Sequence, residues 1–105
     1  MTGSFHTDHQ SEQGDLKKAI EGGAFLVDVR TPAEFAGGSV VDVINIPLDE
    51  LTDRLEEFHD KIGIVVFCRS GARSESAKEM LNHFGIENVL NGGAWQNVNR
   101  IISEM

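Results

Sequence analysis

With a single cysteine, Cys68, the chain can close no internal disulfide, so covalent cross-links do not hold it together. Such sparse cysteine leans toward a reducing compartment and a cytoplasmic location. Positive charge is also scarce. Nine Lys and Arg stand against seventeen Asp and Glu, for a net charge of −8. Phosphate backbones and anionic lipid repel such a chain, which argues against nucleic acid or a membrane as partner. Any anion it binds must be met by a local positive site. Long apolar runs are missing too. The longest, around Ile64 to Cys68, falls far short of the roughly 20 residues a membrane span needs. No basic, apolar leader ending in small residues opens the sequence, although a mature periplasmic form would read the same after its leader was removed.

What remains is ordinary in bulk: 40% hydrophobic and 25% charged residues suit one globular domain with a real core. Residues 1–13, "MTGSFHTDHQSEQ", are polar and aperiodic and read as a flexible arm, with the domain proper over 14–105. His6 and His9 of that arm lack the cysteine or carboxylate partners that would complete a metal site. From Asp15 the pattern becomes regular. Leu16, Ala19 and Ile20 share one helical face before Gly22-Gly23. "AFLVDV" (24–29) is a short strand. "TPAEF" (31–35) opens a helix, with Thr31 as N-cap, Pro32 at the first turn and Glu34 closing a capping box. "VVDVINIP" (40–47) reads as a strand ended by Pro47. Leu48, Leu51, Leu55 and Phe58 fall at helical spacing. Asp49, Glu50, Asp53, Glu56 and Glu57 fill the other face, which suits solvent or a basic partner.

"IGIVVFC" (62–68) is almost unbroken β-branched and apolar sequence, as in a strand covered on both faces. Ala77, Met80, Leu81 and Phe84 form the next helical stripe, with Gly85 as its stop. "ENVLNGG" (87–93) is a last strand running into a glycine turn, and 94–104 closes the chain as a helix. Strands and helices alternate throughout. The fold class is therefore α/β: a small parallel sheet with helices on both faces.

Cys68 ends the central strand of this map and is followed at once by "RSGARS" (69–74). Ligands of open α/β sheets bind beyond the carboxyl ends of the strands. A strand-to-helix turn there presents free N–H groups and the positive end of a helix dipole. Gly71 permits a tight turn, Ser70 and Ser74 are small donors, and Ser74 is also a cap for the following helix. Arg69 and Arg73 add two cationic side chains. All of these lower the pKa of a thiol, ordinarily about 8.5, and favour a thiolate. The competing reading makes Cys68 a small apolar filler at a strand end, with two surface arginines beside it.

At this point the sequence resembles the single-domain rhodanese-like sulfurtransferases. "LVDVRTPAEF" (26–35), "VINIPL" (43–48), "VVFCRSGARS" (65–74) and "VLNGG" (89–93) match that family's motifs in order, over about residues 15 to 100. The resemblance implies a three-layer fold and a thiosulfate sulfurtransferase. Cys68 would take a sulfane sulfur from thiosulfate or a persulfide donor, hold it as a persulfide, and pass it to cyanide, a thiol or another protein. Arg69, Ser70, Gly71, Ala72 and Arg73 would bind the substrate, with Asp28, Arg30 and Ser74 in support, and neither cofactor nor metal would be needed. A protein-to-protein persulfide carrier is the alternative. A cysteine-dependent phosphatase or arsenate reductase is disfavoured, because those enzymes space Cys and Arg by five residues and here four separate Cys68 from Arg73.

Two positions depart from the family pattern. Ser39 stands where a His is usual and Asp42 where a Gly is usual, which bears on the local turn. Trp95 follows the double glycine early and reads as core or site wall. Asp28 and Arg30 read first as a structural ion pair, and Glu34 as a cap rather than an acid catalyst.

Overall fold

The computed structural model describes residues 13–105. The expected arm, with His6 and His9, lies outside the described residues apart from Gln13, the first described residue of helix α1 (13–21). The chain continues through β1 (Phe25–Asp28), α2 (Pro32–Ala36), β2 (Ile44–Asn45), a 3₁₀ segment (Leu48–Phe58), β3 (Ile64–Cys68), α3 (Ala72–His83), β4 (Val89–Ala94) and α4 (Trp95–Ser103). The four strands form one parallel sheet in the order β2-β1-β3-β4, so the cysteine-bearing strand is interior.

All five residues of β3 are buried, and their alternation feeds two cores. Ile64, Val66 and Cys68 face the side covered by α3 and the 3₁₀ segment, packing with Leu51, Phe58, Ala77 and Leu81. Val65 and Phe67 face α1 and α4, packing with Leu16, Ile20, Val98 and Ile101. Each buried Val, Leu, Ile or Phe among them contributes about 1.5–3 kcal/mol by leaving water, which fixes β3 and the position of its last residue. Gly92 serves the second face. A Cβ there would stand 2.7 Å from Val98 Cγ2 and 3.0 Å from Val65 Cγ1, so only glycine lets α4 lie this close to the sheet.

Several local expectations are corrected. The strand expected over 40–47 is only Ile44–Asn45, because Asp42 adopts a left-handed φ of 65° and turns the chain just before it. Aspartate tolerates that conformation better than most residues, which accounts for its standing where glycine is usual. The Leu48–Phe58 segment is 3₁₀ rather than α and kinks at Arg54, though its apolar and acidic faces fall as spaced. Gly92 and Gly93 belong to β4 rather than to a turn after it. Phe84 lies at the end of α3, 49% exposed, instead of completing a buried stripe.

Candidate active site

Cys68 is the last residue of β3, and only Arg69, Ser70 and Gly71 separate it from α3. The turn is made by Gly71, whose φ of 107° lies in the region that favours glycine. Gly71 is also the N-cap, and no side chain caps this helix. The expected cap, Ser74, is instead the third helical residue and fully buried. Its hydroxyl lies 3.1 Å from the Gly71 carbonyl oxygen. The first amides of α3 are thereby left free for other partners.

The N-cap amide and the Ser74 side chain meet the sulfur. The Gly71 N–H donates to Cys68 Sγ at 3.0 Å, and Ser74 Oγ lies 3.4 Å from the same atom. Cys68 is 1% exposed. Burial pushes its thiol up, as it would for an inert filler. The Ser74 hydroxyl and the backbone amides of Ser74, Gly71 and Ser70 pull it down, and the net position is below the ordinary value. Hydrogen bonds to the charged form thus outweigh desolvation.

The arginines behave differently from one another. Arg73 Nη1 and Nη2 donate to Glu34 Oε1 and Oε2 at 2.7 and 3.0 Å, a two-pronged ion pair between α3 and α2. Arg69 is exposed. Glu34 also completes the expected capping box: its Oε1 accepts from the Thr31 backbone N–H at 3.1 Å, and Thr31 Oγ1 accepts from the Glu34 N–H at 3.2 Å. The Arg73 guanidinium and then the Thr31 amide hold its carboxyl at about 2, well under the usual 4.5.

Asp28 and Arg30 form a buried pair at the end of β1. Arg30 Nε and Nη2 donate to the carboxylate at 3.0 and 2.7 Å, and the Arg30 backbone N–H donates at 2.9 Å. Ser39 Oγ donates to Asp28 Oδ2 at 2.7 Å, Arg30 Nη2 donates to the Gly38 carbonyl at 2.7 Å, and the guanidinium lies 5.3 Å from the Trp95 ring centre. Ser39, which stands where His is usual, is thus a donor to the Asp28 carboxylate.

One residue of this site carried no signal in the sequence. Asn91 Oδ1 accepts from Ser74 Oγ at 2.6 Å and from the Gly93 N–H at 2.8 Å. Its amide donates to the Gly71 carbonyl at 3.1 Å and to Glu75 Oε1 at 3.0 Å. A cleft of about 700 Å³ opens against this loop, with Ser70, Gly71, Asn91 and Gly93 on one wall and Lys78 and Arg100 among its other residues. Among the described residues no three His, Cys, Asp or Glu side chains gather as a metal site, and no helix is long and apolar enough to cross a membrane.

Comparison with known proteins bears on this geometry. The family model described as the rhodanese-like domain matches residues 12–97. A sulfurtransferase of Allochromatium vinosum is 43% identical over 74 residues, which cover 67% of this chain and 69% of that protein. The thiosulfate sulfurtransferase PspE of Escherichia coli is 36% identical over 74 residues, covering 69% of this chain and 71% of that protein. Among solved structures, a rhodanese-related protein from Thermoplasma volcanium superposes with a TM-score of 0.67 at 32% identity, covering 88% of each chain.

Proposed function

This chain belongs to the rhodanese-like family, among sulfurtransferase relatives, and from that premise we propose that it moves a sulfane sulfur from thiosulfate to a thiophilic acceptor through Cys68. The observation that carries the reading is the placement of one buried sulfur in the turn before α3, with the Gly71 N–H donating to it at 3.0 Å and Ser74 Oγ 3.4 Å away. In the first step the Cys68 thiolate attacks the outer sulfur of thiosulfate. The sulfur–sulfur bond to the sulfonate breaks, and sulfite leaves with the electron pair. The persulfide's negative charge lies on its outer sulfur, within reach of the loop amides and the positive end of α3. In the second step an acceptor such as cyanide or a thiolate attacks that outer sulfur, and Cys68 returns to thiolate. Cyanide leaves as thiocyanate, and a thiolate leaves as its own persulfide.

Of the substrate-binding roles, Arg69 is free to meet the incoming dianion. Arg73, held by Glu34, shapes the loop by fastening the start of α3 to α2. Ala72 contributes the first helical turn. Asp28 and Arg30 support the neighbouring strand end. The four-residue spacing and the engagement of Arg73 by Glu34 both weigh against a phosphatase, which needs its arginine over the oxyanion.

Thiosulfate turnover with cyanide, beside Cys68→Ser, tests this. The variant should lose at least about 10³-fold in rate, since a hydroxyl cannot carry the sulfur. Mass spectrometry of the wild type after thiosulfate alone should show the gain of one sulfur atom on Cys68. Undiminished turnover in the variant would remove the proposal. A persulfide that forms but passes slowly to cyanide would favour a carrier that exchanges sulfur with another protein.

A further inference from the structure

Ser74 has one hydroxyl proton and three neighbours able to accept it: Asn91 Oδ1 at 2.6 Å, the Gly71 carbonyl at 3.1 Å and Cys68 Sγ at 3.4 Å. Two of the three are acceptors only. At 2.6 Å two oxygens with no proton between them repel, so the contact with Asn91 holds the hydroxyl proton on the Asn91 side. Ser74 Oγ can then only accept from the sulfur. That suits a neutral S–H, and a thiolate gains from the hydroxyl only when the proton turns from Asn91 to Sγ.

The position of Asn91 is built into the sheet. Val66 pairs with Asn91 while Phe67 pairs with Gly93, so Gly92 is the extra residue of a β-bulge. Gly92 is wedged against Val98 and Val65, and this fixes the bulge. The Gly93 N–H, the Gly71 carbonyl and Glu75 then engage the remaining polar atoms of the Asn91 amide and set its orientation.

We propose that Asn91 is a positioning residue that competes with Cys68 for the single hydroxyl proton of Ser74. The sulfur draws that proton while Sγ carries negative charge. Asn91 takes it back once the charge has moved to the outer sulfur of a persulfide. Asn91 therefore limits how far the resting thiolate is stabilised and favours the loaded form. The inference deepens the reading of Cys68 as the sulfur-carrying residue, but its test needs no sulfur transfer.

The test is the pH dependence of iodoacetamide alkylation of Cys68 in four proteins: wild type, Asn91→Ala, Ser74→Ala and the double variant. Removing the competitor gives the hydroxyl proton to the thiolate, so Asn91→Ala should lower the thiol pKa by about half to one unit. In the Ser74→Ala background the same change should leave the pKa where it was. Other charged groups near the sulfur are Arg69 in the loop, Arg73 and Glu75 on α3, Glu34 on α2, and Asp28 with Arg30 at the end of β1. Glu75 loses its Asn91 partner in both backgrounds and the other groups are unchanged, so their effects cancel in the cycle. A purely structural role for Asn91 would move the pKa equally with and without Ser74, and that result, or no shift at all with Ser74 present, overturns the proposal. Asn91→Asp, which keeps the shape, serves if the alanine variant does not fold. It should raise the pKa more when Ser74 is present than when it is absent, and equal rises would overturn the proposal.

Discussion

Two adjacent strands of this sheet end in charged or chargeable side chains, and the two ends are built in opposite ways. At the end of β1, Asp28 and Arg30 are buried together, and their charges are answered by each other, by Ser39 and by the Gly38 carbonyl. At the end of β3, the Gly71 N–H and Ser74 Oγ meet Cys68 from the loop and from α3, and among the described residues no Lys, Arg or His is hydrogen-bonded to the sulfur. The first arrangement is closed: every charge has its partner before any ligand arrives. The second is poised, since an amide-lined turn favours negative charge without supplying a counterion. Both ends lie where ligands of parallel sheets bind, so location does not distinguish a structural cluster from a reactive one. What distinguishes them is whether the polar groups are already satisfied within the fold.

The largest effect on this comparison should come from opening the closed end. Arg30→Ala leaves the Asp28 carboxylate buried without its cation, and breaking a buried pair in this way costs about 3–5 kcal/mol. Urea unfolding should show that loss. Replacing both residues by apolar ones of similar size should recover part of it. If Arg30→Ala kept wild-type stability but abolished sulfur transfer, the closed end would belong to the chemistry and the contrast would fail.

A smaller change probes the same end. Ser39→Ala removes one donor from the Asp28 carboxylate while leaving the arginine in place. The expected loss is about 1–2 kcal/mol of stability, with turnover per folded molecule unchanged. A change in the Cys68 thiol pKa in this variant would show that the two strand ends are electrostatically coupled rather than independent.

How far this contrast was legible beforehand depends on the residue. The interior strand was readable from "IGIVVFC", because only a strand buried on both faces has use for such a run. The pairing of Asp28 with Arg30 was readable too, since residues two apart in extended chain share a face. The start of α3 was not. Ser74 has the chemistry of a cap, but the cap position went to Gly71, whose positive φ leaves no mark beyond the presence of a glycine. Asn91 was hidden for a different reason. Its approach to Ser74 depends on the bulge at Gly92, and so on the packing of α4 against the sheet, which no local pattern encodes. Likewise the capping box declared Glu34, but its second partner, Arg73, is 39 residues away in sequence.

That Glu34–Arg73 pair ties the two regions together, and it supports the smallest prediction. α2 follows the closed strand end and α3 follows the poised one, so the ion pair fastens one to the other across the top of the sheet. The Glu34 carboxyl titrates at about 2 in the folded protein against an ordinary 4.5. The folded state therefore binds this proton less readily than the unfolded chain does. The resulting stabilisation is fully present above pH 4.5 and is lost as pH falls toward 2. Solvent reaches both side chains, so screening keeps the contribution small. Glu34→Gln removes the titration. Denaturant midpoints should differ most between wild type and variant at neutral pH and draw together between pH 4.5 and 2. High salt should narrow the neutral-pH difference as well, because solvent reaches the half-buried pair. A difference constant down to pH 2.5 would mean that Glu34 acts through the Thr31 cap and helix geometry alone. The two strand ends would then be held in register by packing rather than by charge.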